Sequence, residues 1–353
     1  MFIIGLGTAA PSTRYTQLDC WRALENSSHL VRLKPRSQAI LKKVLTGKNG
    51  ISTRHLALDP LTEAFNISPD TLLARFTRNA PALAAEAAAR ALRDAQTTAQ
   101  EIDAIIISTC TGYLCPGLTS YVSERLGLRA SALTFDLVGQ GCGAAMPNLR
   151  MAESLIASGQ SGRVLSICVE VCSAAFYLDD DPGVLISACL FGDGAAAAVL
   201  GPEPLAGRRK VRWKTAASTL SPEDRDFLRF ETSNGLLRNV LAPCVPTLAA
   251  RHARSVFDSV MRGARIEDGK IAAWILHAGG REVLAALRGA FCLTEDQICW
   301  SAGVLNEYGN ISSPFVLFTL QAALAGSAPD GLWWMTSFGA GFSCHGAILE
   351  VGG

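Results

Sequence analysis

The chain has 353 residues, 49% of them hydrophobic and only 18% charged, which excludes a disordered protein and supplies ample core for one large domain or two. A formal charge of +1 excludes nucleic-acid binding driven by a strong overall field. Eleven cysteines, an odd number scattered mostly through apolar runs, point away from a secreted disulfide scaffold and towards a reducing cytoplasm.

The first eight residues read as a strand ending at glycine and Pro11. They have no basic leader, long apolar run or cleavage site, so no signal peptide is expected. No apolar stretch reaches the length of a membrane span. A basic stretch from Arg32 to Arg54 includes Lys42, Lys43 and Lys48. An Ala-rich amphipathic helix at about 81–95 then leads to a strand at 102–109. Cys110/Cys115 and Cys168/Cys172 lack the matching His or Cys partners a zinc site needs, and no metal is expected.

Residues 132–138 read as a buried strand, and 148–156 have the apolar spacing of a helix. Between them, Gly139, Gly141 and Gly143 permit a sharp reversal with Cys142 at its turn. A thiol at a helix start feels the positive end of the dipole, which predicts a lowered pKa and thiolate character. The alternative is a small buried cysteine near a Gly-rich turn.

The second half repeats the first. A helix at 246–262 leads to a strand at 270–277, and buried strands at 164–169 and 332–336 correspond. Gly-rich reversals at 191–195 and 338–341 each precede a strand. Thr109 and Cys142 are 33 residues apart, as are His277 and Asn310. Cys142 and Asn310 each follow a glycine and open a helix, with Pro314 suited to a first helical turn. Alternating strands and helices predict α/β layers in two halves, 1–205 and 206–353, with the site where equivalent strand ends converge.

Of the five histidines, His29, His55 and His252 read as surface residues and His345 as structural; His277 ends a buried strand before Ala278-Gly279-Gly280. It is the candidate base or cationic partner for the thiol, or else a satisfied core histidine. Asn310 is neutral and donates two hydrogen bonds, so it suits an anionic oxygen. A thiol that holds an acyl group, beside donors that stabilise an enolate, meets the needs of a decarboxylative Claisen condensation.

Four separated segments carry a resemblance. They are Gly139–Cys142, 190–197 (Leu-Phe-Gly-Asp-Gly-Ala-Ala-Ala), 277–280 (His-Ala-Gly-Gly) and 307–313 (Glu-Tyr-Gly-Asn-Ile-Ser-Ser). In these, nearly the whole chain resembles the type III polyketide synthases, the chalcone synthase-like enzymes of the thiolase superfamily. The resemblance implies a duplicated, five-layered αβαβα thiolase-like fold and a homodimer. It makes Cys142 the acyl-carrying nucleophile, His277 its imidazolium partner, and Asn310 the second donor to the enolate. Phe191 looks like the residue between CoA tunnel and cavity, and Phe338 like part of the substrate site. Ser312, Cys110, Cys172 and Ala175 fall where the family lines its cavity, and Cys115 where a loop reaches the partner subunit. Lys43 and Lys48 fall in the CoA-binding region, with acyl-CoA and malonyl-CoA as substrates and no further cofactor.

Departures are Ala278 for the usual proline, Ala340 in the glycine loop, and 236–239 (Leu-Leu-Arg-Asn) where plant enzymes carry an aromatic. Cys110, Cys172 and Ala175 replace threonines, and the less polar walls suit an aliphatic starter cyclised to a pyrone or resorcinol. A ketoacyl-ACP synthase III-like enzyme shares the Cys-His-Asn set but performs one condensation and usually carries His-Gln-Ala-Asn. Thiolase would use Cys344 in Cys344-His345-Gly346. A non-catalytic protein on the same fold would be expected to have lost the Cys or His.

Overall fold

A computed structural model describes residues 1–326 and 328–353. Among them the strands are β1 (Phe2–Ala9), β2 (Arg14–Thr16), β3 (Thr53–His55), β4 (Ala104–Thr109), β5 (Leu133–Val138), β6 (Val164–Glu170) and β7 (Gly194–Gly201). The second half adds β8 (Lys210–Leu220), β9 (Leu228–Ser233), β10 (Leu236–Leu241), β11 (Ile271–Leu276), β12 (Gly331–Gly339) and β13 (Ser343–Gly352). Nine of them form one sheet in the order β11-β12-β13-β8-β1-β7-β6-β4-β5. Its two halves meet at the antiparallel pair Phe2↔Arg212, reinforced by the Trp213 N–H donating to the Met1 carbonyl at 3.0 Å.

The order is a duplication about that junction. In each half two parallel strands, β4 and β6 or β11 and β12, are followed by an antiparallel one, β7 or β13. Helices Ala145–Ala157 and Phe315–Ala325 each touch strands of both halves, which places them in a central layer. Helix Pro69–Asp94 covers the outer face of the first half and Val245–Ala264 that of the second. The layering is therefore helix, sheet, helix, sheet, helix, the thiolase-like αβαβα arrangement.

Local sequence explains the close layers. Helix Pro69–Asp94 is capped by Ser68, whose hydroxyl accepts from the Thr71 N–H, and it carries Pro81 within it, so it starts well before the predicted boundary. Its fully buried Ala80, Ala84, Ala87, Ala88 and Ala91 let it lie directly on β1. A β-carbon on Gly7 would come within 2.3 Å of the Ala87 carbonyl oxygen, so this contact requires glycine.

Two expectations change. β5 is a sheet edge, not a buried strand: Leu133 is 41% and Val138 58% exposed. Its counterpart in the second half is absent, because helix Cys299–Tyr308 occupies that stretch of chain. Asn310 therefore follows a helix rather than a strand end, and reaches the site through an isolated bridge with Phe191.

Candidate active site

β5 ends at Val138, and the chain reverses through Gly139 (φ +83°) and Gly141 (φ +56°), left-handed values that favour glycine. A single 3₁₀ turn, Gly141–Gly143, carries Cys142 into helix Ala145–Ala157. The thiol lies 3.2 Å from the Ser312 hydroxyl, which is also 3.7 Å from the Cys110 thiol. Ser312 itself has φ +55°, a costly conformation for a residue with a β-carbon. It is held by its N–H, which donates to Asn310 Oδ1 at 2.9 Å.

The lowered thiol pKa expected from the helix start is not found. Burial pushes Cys142 up to about 12, and the Ser312 hydroxyl and its own backbone N–H only partly offset that. A helix dipole acts over one turn, whereas desolvation of an anion in an apolar wall is the larger effect. His277 provides no counter-charge. It is 1% exposed, and burial lowers its pKa to about 3, so the imidazole is neutral. Burial thus disfavours the charged form of each group in the substrate-free site.

His277 follows β11, and its N–H donates to the Thr336 carbonyl at 3.0 Å. Its ring is gripped edge-on by Phe315 and Phe338, with centroids 5.3 and 5.0 Å away. Nδ1 has no hydrogen-bond partner among the described residues. Asn310 is fixed at both ends of its amide: Oδ1 accepts from Ser312, and Nδ2 donates to the Gly279 carbonyl at 3.1 Å. That leaves the second Nδ2 proton free. A methyl group on Gly279 would lie 3.7 Å from both Asn310 Nδ2 and His277 Nε2, so the two nitrogens border the same small space.

Cys142, His277, Asn310 and Phe338 line one apolar cleft of about 640 Å³. A second, much smaller chamber of about 50 Å³ lies beyond it. Cys142, Phe191 and Leu228 line both, which puts the thiol and the Phe191 ring at their junction. Cys110, Cys172, Ala175 and Ser312 form walls of the inner chamber. Cys115 lines neither space and is exposed. Lys43 and Lys48 are exposed, and their neighbours Val44 and Asn49 reach the outer cleft instead. His29, His55 and His252 are half-buried rather than on the open surface, each stacked on an aromatic ring.

Sequence reading missed three residues. Glu170, at the end of β6, is fully buried and accepts from the Cys110 N–H at 3.0 Å, Thr111 Oγ1 at 2.9 Å and Ser313 Oγ at 2.5 Å. Burial raises its pKa, and these hydrogen bonds oppose the rise. It ties the Cys110 wall to the 312–313 segment; a lone acid ending an apolar strand was the available signal. Arg54, 3% exposed, donates to the Ala188 and Phe191 carbonyls at 2.7 and 3.0 Å and so fixes the junction ring's backbone. Arg281 opens helix Arg281–Phe291 at the outer cleft and donates to the Lys48 carbonyl.

Comparison with known proteins decides the family. The sequence profile of chalcone and stilbene synthases matches through its N-terminal domain at residues 1–204 and its C-terminal domain at 213–350. The chain belongs to this family, the type III polyketide synthases. The synthase is 28% identical over 332 residues to the 3,5-dihydroxyphenylacetyl-CoA synthase of Streptomyces toyocaensis, covering 91% of this chain and 82% of that protein. Its structure resembles PKS-I from the brown alga Ectocarpus siliculosus, with a TM-score of 0.89 and 25% identity, over 99% of this chain and 97% of that one. The 1,3,6,8-tetrahydroxynaphthalene synthase of Streptomyces coelicolor shares the fold with a TM-score of 0.88 and 22% identity over the full length of both. The synthase is accordingly a decarboxylating acyltransferase that uses CoA thioesters. Among its described residues no helix is long and apolar enough to cross a membrane.

Proposed function

We propose that the synthase loads an aliphatic acyl-CoA starter on Cys142, extends it with malonyl-CoA, and cyclises the chain to a pyrone or resorcinol. The observation that carries this reading is the convergence of Cys142, His277 and Asn310 on one cleft that meets a second chamber at the thiol itself.

Neutral His277 takes the thiol proton as Cys142 attacks the starter carbonyl; the bond to CoA sulfur breaks and CoA leaves with that proton. Malonyl-CoA then occupies the outer cleft with its thioester oxygen between His277 Nε2 and Asn310 Nδ2. The C–C bond to the carboxylate breaks, carbon dioxide departs, and the electron pair moves onto that oxygen as an enolate. The enolate carbon attacks the acyl-Cys142 carbonyl and releases the Cys142 thiolate, which takes a proton from solvent or attacks the next thioester directly. The lengthened chain, now on CoA, reloads for another round.

An aliphatic starter is supported by the walls of the inner chamber, where Cys172, Ala175, Val184 and Ala188 offer little polarity. A further apolar cavity lined by Leu24, Leu45, Phe65 and Leu178 shares Phe176 and Ala188 with it. Phe191 stands as the partition between the two spaces. Lys43, Lys48 and Arg281 supply cations for the CoA phosphates at the mouth. The halves 1–205 and 206–353 act as one cytoplasmic unit.

Purified synthase with labelled malonyl-CoA and a panel of acyl-CoAs should give labelled multi-extension products that disappear in Cys142→Ala. A single condensation on carrier-protein substrates, or no labelled product with any starter, would overturn the reading.

The unpaired edge of β5 supports a homodimer, since an exposed apolar strand edge invites pairing with a second copy. Val138→Asp should shift the protein from dimer to monomer in sedimentation. An unchanged dimer would place the interface elsewhere.

A further inference from the structure

The hairpin of β9 and β10 stands apart from the main sheet as its own two-stranded ribbon. It nevertheless walls both spaces of the site. Leu228 faces the junction, Phe230 and Asn239 the inner chamber, and Val240 and Leu241 the outer cleft. A two-stranded ribbon is marginal alone, so what holds it decides how wide the passage is.

Arg238 of β10 is its ionic attachment, beside neutral contacts such as Tyr177 Oη to Ser233 Oγ at 3.4 Å. Its Nε lies 2.9 Å from Asp179 Oδ2, one terminal nitrogen 3.1 Å from Asp181 Oδ2, and the other 2.8 Å from Glu231 Oε1 on the paired strand. Its side chain is 17% exposed.

Asp179 and Asp181, which it meets, form a hub with Asp180 between them. Asp180 accepts from the Lys34 N–H at 2.9 Å and Ser37 Oγ at 2.6 Å, holding the start of helix Pro35–Thr46, whose Val44 lines the outer cleft. Asp181 caps helix Pro182–Leu190 through the Gly183 N–H at 2.8 Å. That helix ends at Leu190, whose carbonyl receives the Asn310 N–H at 2.8 Å, and continues into Phe191. The hairpin, the cleft helix and the helix leading to the junction ring are thus all pinned to residues 179–181. Asn239, donating to Ser187 Oγ at 3.0 Å, adds another neutral tie.

We propose that Arg238 is a positioning and specificity-determining residue that clamps the β9–β10 hairpin to the 179–181 loop and so sets the width of the passage from outer cleft to inner chamber. This rests on the proposed function, in which the acyl chain travels that passage. A narrow passage holds intermediates near Cys142 until extension is complete. A slack one admits bulkier starters and lets short chains escape. Because the carboxylate partners are 31–47% exposed at their side chains, salt screens the clamp.

Arg238→Met keeps the aliphatic stem and removes the charge; Arg238→Lys keeps the charge without the fork. Product profiles and KM for starters of increasing length are measured at low and high salt, with hydrogen exchange of residues 228–241 as a readout independent of catalysis. Arg238→Met should release severalfold more short products, flatten the dependence of KM on starter length, and exchange faster in the hairpin. High salt should move the wild type towards that pattern and leave the variant unchanged, with Arg238→Lys between them. Unaltered hairpin exchange, or a product profile insensitive to both charge removal and salt, would overturn the clamp even if thermal stability fell. Absence of any product from the wild type would instead count against the proposed function, and the exchange data would still decide the clamp.

Discussion

Asn310→Ala should load acyl groups on Cys142 at close to the wild-type rate yet lose about 10²–10³-fold in decarboxylation of malonyl-CoA, the usual cost of one oxyanion donor. The amide is held between the Gly279 carbonyl and the Ser312 N–H, so its free proton is already aimed when substrate arrives. It makes no contact with the Cys142 thiol, which bonds Ser312 instead. Loading and decarboxylation should therefore separate in this variant. Labelled carbon dioxide release from malonyl-CoA and intact-protein mass after exposure to an acyl-CoA measure the two steps. Equal loss of both would mean that Asn310 supports the structure of the site rather than the enolate.

Cys142→Ala is expected to show the converse. Loss of the nucleophile should abolish acyl loading and lower polyketide formation on the order of 10³-fold or more. Decarboxylation should persist, because His277 is positioned by Phe315, Phe338 and the Thr336 carbonyl, and Asn310 by Gly279 and Ser312. Only Ser312 among these touches the thiol, and it does so through its hydroxyl rather than through the N–H that holds Asn310. The same two assays apply, and loss of carbon dioxide release would contradict the independence of the two steps.

The reactive turn was legible because its signal is local. Glycines at 139 and 141 adopt the left-handed values such a reversal needs, and Cys142 follows directly. The duplicated halves were legible through repeated strand and helix patterns, and the sheet order repeats accordingly. Electrostatics was not legible. A thiol at a helix start suggested an easy thiolate, but the depth of the wall around Cys142 is a tertiary property and it dominates. The same holds for the exposed edge of β5, whose apolar run reads as buried until its place at the end of the sheet is known.

Glu170, Arg54 and Arg238 escaped for a related reason. Each acts through partners far along the chain: Glu170 through Ser313, Arg54 through Ala188 and Phe191, Arg238 through Asp179 and Asp181. A charged residue in an otherwise apolar or β-branched segment was visible each time, but its partner was not. Lys43 and Lys48 are exposed beside the outer cleft. Their chain neighbours Val44 and Asn49 border the cleft together with Arg281, a neighbourhood that spacing along the chain does not reveal.

In the proposed reaction the half-buried thiol at the meeting point of two cavities carries the growing chain. Asn310→Ala synthase incubated with an acyl-CoA alone, digested and sequenced by mass spectrometry, tests it most directly. The account predicts one acyl group, in thioester linkage, on the peptide that contains Cys142. An unmodified Cys142, or the acyl group on Cys110 across the shared Ser312 hydroxyl, would contradict it.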